Sequence, residues 1–269
     1  MKEFTVVISV YKSDQPSYFN TAIESLLNQT VFPDEIIIVV DGKITDELEE
    51  VLSNFSSNSV IKIFRLEQNL GLALSRNYAI SKASHEIIAV MDSDDISVPD
   101  RFQKQLNLIE RGEAQVVGGW INEFTKTPKD TNCIRKTVVT HKEILSFGKW
   151  RNPINHVTLM FTKDAYEKVG GYSAIRHTED WEMIARMIVS GVIVRNIPEV
   201  LVHVRAGDDM IDRRRDISQF KGELKVCLMM HKIGYIGTVN LAILIIIKLT
   251  LIILPRSLTR FTYLSFLRN

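Results

Sequence analysis

The chain has 269 residues, 24% of them charged and 45% hydrophobic, with a net charge of +1. That length holds one large or two small globular domains, and the near-zero charge gives no general case for nucleic-acid binding. Two cysteines, Cys133 and Cys227, lie far apart and outside any metal-type spacing, as structural thiols of a reducing compartment do.

The first element is a buried strand over residues 5–10, TVVISV, closed by the loop Tyr11-Lys12-Ser13-Asp14. Pro16 suits the first turn of a helix, and Tyr18, Phe19, Ala22, Ile23, Leu26 and Leu27 recur at helical spacing, which predicts a helix ending near Gln29. Residues 35–40, EIIIVV, form a second strand that stops at Asp41-Gly42. Thr45 can cap a helix carrying Leu48, Val51, Leu52 and Phe55, a third strand covers 60–66, and Asn69-Leu70-Gly71 turns into a helix through Ala73, Asn77 and Ile80. A fourth strand covers 86–91. Such alternation of strands and helices predicts a parallel sheet with right-handed crossovers, an α/β domain of nucleotide-binding type. Glycine-rich phosphate cradles, GxGxxG or a Walker-type Gly-Lys-Ser/Thr, are absent.

The fourth strand runs straight into Asp92-Ser93-Asp94-Asp95. Ligands of open α/β sheets bind just outside the carboxyl ends of the strands. Three carboxylates within four residues repel one another, and a hard cation such as Mg²⁺ or Mn²⁺ relieves that repulsion and can hold a substrate's phosphates. Taken alone, the same residues also make an ordinary solvated turn.

The second half is less regular. Pro99 starts a helix with Phe102, Leu106 and Ile109; strands are expected over 115–120 and 156–161, with a turn at Gly170-Gly171-Tyr172. Thr178 can cap a helix whose apolar face is Trp181, Ile184, Met187 and Ile188, with Glu179 and Asp180 in its first turn, where acids also simply complement the helix dipole. Two short strands follow, over 192–197 and 200–205.

Six stretches, in order, resemble a known family: ISVYKSD, QTVFPDEIIIVVDG, NLGLALSRNYAI, MDSDDISVPDRF, NPINHVTLMF and TEDWEMIARM. They are similar to the inverting bacterial transferases of glycosyltransferase family 2, of GT-A fold, and most to those of amylovoran, capsule and lipopolysaccharide clusters. The likeness runs from about Phe4 to Arg215. The resemblance implies a Rossmann-like, mainly parallel sheet flanked by helices, and transfer of a sugar from a nucleotide-diphosphate donor, UDP favoured, to a glycan or lipid-linked acceptor. The QxxRW motif of processive synthases is missing, which implies one sugar per binding event. By the same resemblance, Tyr11 packs on the base, Asp41 accepts a hydrogen bond from it, Arg76 faces the diphosphate or base, Asp92 touches the ribose, Asp94 holds a divalent Mg²⁺ or Mn²⁺, and Asp95 orients the donor sugar or the metal's waters. Asp180 is the general base, since attack on the sugar's C1 needs one carboxylate on the acceptor side. Glu179, Trp181, Asn155, His156, His203 and Arg205 are candidates for the acceptor or diphosphate pocket. Each also has a plainer reading: a half-buried aromatic for Tyr11, a turn residue for Asp41, a surface cation for Arg76, core or rim packing for Trp181 and the histidines.

Residues 1–222 are expected to form the catalytic domain, with a nucleotide half to about 100 and an acceptor half to 222. Residues 223–269 form a helical tail. No Asp or Glu follows Glu223, whereas Lys225, Lys232, Lys248, Arg256, Arg260 and Arg268 do, with Phe261, Tyr263 and Phe266 among them. Residues 233–254 are apolar apart from Asn240 and Lys248, close to the ~20 residues that cross a bilayer. This end suits helices lying in the cytoplasmic leaflet, with one transmembrane segment near 233–254, or a helix packed on the domain, as the alternatives. The basic run Arg213–Arg215 could meet diphosphates or lipid phosphates. The strand-forming, acid-bearing N-terminus reads as no signal peptide, so a cytoplasmic enzyme at the inner face of the plasma membrane is expected, with homodimer formation left open. Competing readings are a non-catalytic glycan- or membrane-binding subunit and a haloacid dehalogenase-type phosphatase. The latter wants Thr or Val two residues after the second Asp, where this chain has Ile96.

Overall fold

The structure is a computed structural model that describes residues 2–175, 178–205 and 217–253. The basic run at 213–215 and the basic-aromatic segment from 254 onward lie outside the described residues. Nine strands form one sheet: β1 (Phe4–Val10), β2 (Glu35–Asp41), β3 (Ile61–Leu66), β4 (Ile87–Met91), β5 (Ile96–Ser97), β6 (Val116–Phe124), β7 (Thr131–Arg135), β8 (Met160–Thr162) and β9 (Val194–Arg205), in the order β3-β2-β1-β4-β8-β6-β9-β5 with β7 paired to β6. The first four strands are parallel, as their crossovers through α1 (Pro16–Leu27), α2 (Asp46–Phe55) and α3 (Leu72–Lys82) require. The rest is mixed: β8 runs antiparallel to both β4 and β6, and β9 runs parallel to β6.

Alternate residues of β1 feed opposite faces. Phe4, Val6, Ile8 and Val10 pack with Phe19, Ile23 and Leu26 of α1 and with Phe102 and Leu106 of α4 (Arg101–Glu110), and the Phe4 and Phe102 rings meet edge to face at 4.9 Å. Val7 lies on the other face with Ala79 and Ile80 of α3 and the apolar side of α7 (Glu179–Val189). Burial on both faces is why these strands read as unbroken apolar runs.

Several expectations shift in detail. The predicted 156–161 strand is a 3₁₀ turn at His156–Thr158 followed by the three-residue β8. The two strands expected over 192–205 are one strand, β9, in which Pro198 lies beside a register shift against β6. A proline, with no N–H to give to the ladder, is tolerated at such a bulge. Thr45 caps α2 as expected, but Thr178 occupies the cap position of α7 without a side-chain hydrogen bond.

Two further short helices, α5 (His141–Phe147) and α6 (Lys163–Glu167), precede α7. The tail forms α8 (Ile217–Lys232) and α9 (Thr238–Ile253). It is docked on the domain: Val226, Cys227, Met230, Tyr235, Ile236 and Leu244 join the core that holds α7. The Tyr235 hydroxyl donates to the Leu145 carbonyl at 3.0 Å, and the Lys248 ammonium lies 2.8 Å from Glu223. That pairing is how a lysine sits inside so apolar a helix. Among the described residues, no helix is long and apolar enough to cross a membrane.

Candidate active site

Every predicted donor-side acid stands at the carboxyl edge of the parallel strands. Asp41 ends β2, and its two oxygens accept the N–H groups of Leu70 (2.7 Å) and Gly71 (3.0 Å), so it ties the β3–α3 loop to the sheet. Each oxygen keeps a second lone pair for a ligand. Gly42 makes this possible: it sits at φ +81°, and a Cβ there would come within 2.7 Å of the Asn69 nitrogen. Tyr11 is 43% exposed at the end of β1, with its ring available to a flat partner.

The Asp92–Asp95 turn is held from three sides. Arg76, expected to face the diphosphate or base or else to be a surface cation, is buried on α3 and forms an ion pair with Asp92. Asp95 is buried and accepts the Arg205 backbone N–H at 2.9 Å, while β5 pairs Ile96 with His203. Asp14, which the sequence reading did not select, accepts the Ser93 hydroxyl at 2.8 Å and brings a fourth carboxylate to the group. The electrostatics follow. Asp94 stands at the exposed crest of the turn, yet surrounding protein, then the like charges of Asp92 and Asp14, push its carboxyl up to about 6. Burial and the charges of Asp94 and Asp92 push Asp95 well above the carboxylate range. Beneath them Arg101 is fully buried on α4 and donates to the Val90 carbonyl (2.8 Å) and Gln105 (3.0 Å); burial lowers it to about 9, and Asp92 and Asp95 pull the other way.

Among the described residues no three His, Cys, Asp or Glu side chains form a ready metal cage. The donor set nevertheless fits Mg²⁺ or Mn²⁺, which take one or two hard carboxylates and fill the shell with water and substrate phosphate. Asp94 is the carboxylate left facing outward, since Asp92 and Asp95 are engaged.

Asp180 and Glu179 point into different cavities. Glu179 lines a space of about 390 Å³ with residues 70–74 and Ile175. Asp180 lines the larger cleft, about 530 Å³, together with Asp92, Asp95, His156 and Asn155. This juxtaposition of the base candidate with the donor acids is the main geometric result. Burial raises the Asp180 carboxyl; the Trp181 N–H, Arg76, Arg135 and an Asn152 amide that donates to it at 2.7 Å restrain the rise. Asn152 and Arg135 were not singled out in the sequence, though Asn152 opens the NPINH stretch. His156 is held neutral by burial and Arg76, with its Nε2 2.8 Å from the Tyr172 hydroxyl. Asn155 donates to the Gly119 carbonyl at 2.8 Å and braces β6. Trp181 is buried and donates to the Gly148 carbonyl, so its plainer reading as packing is the structural one. His203 meets Asn122 at 3.0 Å, and Arg205 covers the Tyr18 ring at 3.7 Å while its charge partly offsets the rise of the Asp94 and Asp95 carboxyls. Phe220, Glu223, Leu244, Ile247 and Lys248 of the tail complete the larger cleft, which nothing in the sequence announced.

Comparison with known proteins bears on this arrangement. The family model described as "Glycosyl transferase family 2" matches residues 5–170. The chain is 32% identical over 268 residues to the Escherichia coli UDP-Gal:alpha-D-GlcNAc-diphosphoundecaprenol beta-1,3-galactosyltransferase, covering 99% of this chain and 97% of that one. It is 31% identical over 261 residues to the amylovoran biosynthesis glycosyltransferase AmsE of Erwinia amylovora, covering 97% of each. Among solved structures, Staphylococcus aureus TarS 1–349 in complex with UDP-GlcNAc superposes with TM-score 0.67 at 17% identity, over 98% of this chain and 76% of that one. The mannosyltransferase PcManGT of Pyrobaculum calidifontis, in complex with GDP-Man and Mn²⁺, superposes with TM-score 0.65 at 15% identity, over 98% and 73%.

Proposed function

The chain belongs to glycosyl transferase family 2 and is a glycosyltransferase of GT-A fold, and from that premise we propose that it inverts the anomeric centre while moving a sugar from a UDP-sugar to a lipid-linked glycan in cell-surface polysaccharide synthesis. Membership of this family sets the phosphatase reading aside. The observation that carries the proposal is the single cleft of about 530 Å³ that Asp180 lines together with Asp92 and Asp95. The relative named as acting with UDP-Gal on a diphosphoundecaprenol-linked sugar, and the relative named for amylovoran, support the choice of donor and acceptor class.

The residues divide the work. Tyr11 stacks on the base, a role suited to an exposed ring, and Asp41 fixes the loop that borders the nucleotide. Asp92, oriented by Arg76, receives the ribose. Asp95 sets the donor sugar from below. A divalent ion held by Asp94 supplies neutralisation of the charge on the leaving diphosphate. Asp180 takes the proton of the acceptor hydroxyl; the oxygen then forms its bond to C1 as the bond from C1 to the diphosphate oxygen breaks, and UDP departs with that electron pair. Burial raises the proton affinity of Asp180 in the direction a base requires, while Asn152 keeps its carboxylate aimed. The apolar and basic composition of the tail supports a site of action at the cytoplasmic face of the membrane, where a lipid-carried acceptor is met.

The test is a panel of UDP-, GDP- and dTDP-sugars with Mn²⁺ or Mg²⁺, scored for release of the nucleoside diphosphate. Release from UDP-sugars, followed by β-linked product from an α-linked donor by NMR, supports the reading. Absence of release and of binding across the panel overturns it.

A further inference from the structure

The α8–α9 hairpin carries two distinct stripes on α9. Leu241, Leu244 and Lys248 recur at helical spacing on the inner side, where Leu244 is 2% exposed and Lys248 reaches Glu223 of α8. Val239, Ile243, Ile246 and Ile247 form the outer side, exposed at 73%, 40%, 63% and 46%. Ile247 belongs to both environments, since it also lines the cleft of Asp180. An apolar track of about 12 Å, eight steps of ~1.5 Å rise from Ile247 to Val239, therefore starts at the mouth of the active site and leads away from it. At the same mouth stand three cations, Lys248, Arg135 and Arg151.

We propose that this hairpin is the acceptor-lipid site: Lys248 binds the diphosphate of a polyisoprenyl-diphosphate-linked acceptor, and the outer stripe of α9 carries the first isoprene units. The inference rests on the proposed function and adds to it where the lipid and its head group lie. Three features support this occupant. A lysine inside an apolar helix is costly unless it is paired or used, and Glu223 aims it from 2.8 Å while one carboxylate contact occupies only part of its three-donor head. Lys248 sits 5.8 Å from the ring centre of Trp181, the residue after Asp180, so the bound head group and the base share one wall. An exposed apolar stripe continuous with a charged cleft matches a molecule that is apolar at one end and anionic at the other.

Full-length protein saturated with UDP and Mn²⁺, so that the donor site is filled, is titrated with farnesyl diphosphate while tryptophan emission is followed; Trp150 and Trp181 both line the cleft. Farnesyl diphosphate should bind saturably, with farnesol and inorganic pyrophosphate each at least about tenfold weaker, because neither fills both parts of the site. Lys248→Gln should weaken farnesyl diphosphate about tenfold, Lys248→Arg should recover most of it, and Ile246→Glu should weaken it through the track. The double variant Lys248→Gln with Glu223→Gln removes both charges of the pair together and so controls for disruption of the hairpin by a one-sided change; it should show the same loss with UDP still bound. Equal affinity for pyrophosphate and farnesyl diphosphate, or wild-type affinity in the double variant, overturns the inference. A wild-type protein that binds UDP but ignores farnesyl diphosphate overturns it too, and leaves the proposed function standing. Failure to bind UDP at all counts against the proposed function instead.

Discussion

Asn152→Ala tests the base directly, because it leaves Asp180 in place and changes only what holds it. Asn152 donates to one Asp180 oxygen at 2.7 Å, and the Trp181 N–H donates to the other at 2.7 Å. A hydrogen bond to a charged group contributes about 1.5–3 kcal/mol. The protonated acid retains part of that, so the ionised form loses about 1–1.5 kcal/mol relative to it. At ~1.4 kcal/mol per factor of ten this disfavours the ionised carboxylate about tenfold further, in the same direction as the rise that burial already causes. The sign is fixed: a base works deprotonated, so a higher pKa moves the acid limb of the rate profile to higher pH. The assay is kcat/KM for the acceptor against pH with saturating donor. Below the limb the variant should be about tenfold slower; above it, within about threefold of wild type. Asp180→Asn, run alongside, should lower turnover at least ~10²-fold and erase the limb. If Asn152→Ala leaves the acid limb in place while Asp180→Asn abolishes turnover, the coupling of these two side chains to proton transfer is refuted.

Asp94→Ala should remove metal-dependent UDP binding, measured by calorimetry with and without Mn²⁺, and leave the melting temperature near wild type, because the residue is exposed at the turn's crest. Gly42→Ala forces a left-handed backbone on a side chain and drives its Cβ to 2.7 Å from the Asn69 nitrogen, so a loss of at least ~2 kcal/mol and a melting point lower by about 5 °C are expected, together with weaker UDP binding as the Asp41–Leu70 clamp shifts. Full-length protein should sediment with anionic liposomes; a full-length protein that stays in the supernatant removes the membrane assignment.

The donor half was legible because its signals are local. Runs such as EIIIVV and IIAVM are buried on both faces, and their ends put Asp41 and Asp92 at the edge where ligands bind. The acceptor half was less so because its strands take their neighbours from far along the chain: β8 is three residues long and is defined by β4 and β6, more than 35 residues away. Asp14, and the pairing of Arg76 with Asp92, escaped notice for a related reason. Their importance comes from contacts with Ser93 and Asp92, which no spacing encodes. In the tail, hydropathy alone cannot distinguish an apolar side chain packed on protein from one facing lipid. Leu244 does the first and Ile246 is open to the second, two residues apart.

The wall that the tail lends to the cleft has a consequence for when the enzyme becomes competent. Asp41 and Asp92 end strands of the first hundred residues, but Asp95 is held by the Arg205 N–H, and the cleft is closed only by Lys248, 43 positions later still. At ~5–20 residues per second, the ribosome needs about 2–9 s to cover that last interval. The cleft therefore acquires its acids in two stages and its cationic wall last, so a chain that has not yet docked the hairpin on α7 lacks a complete cleft.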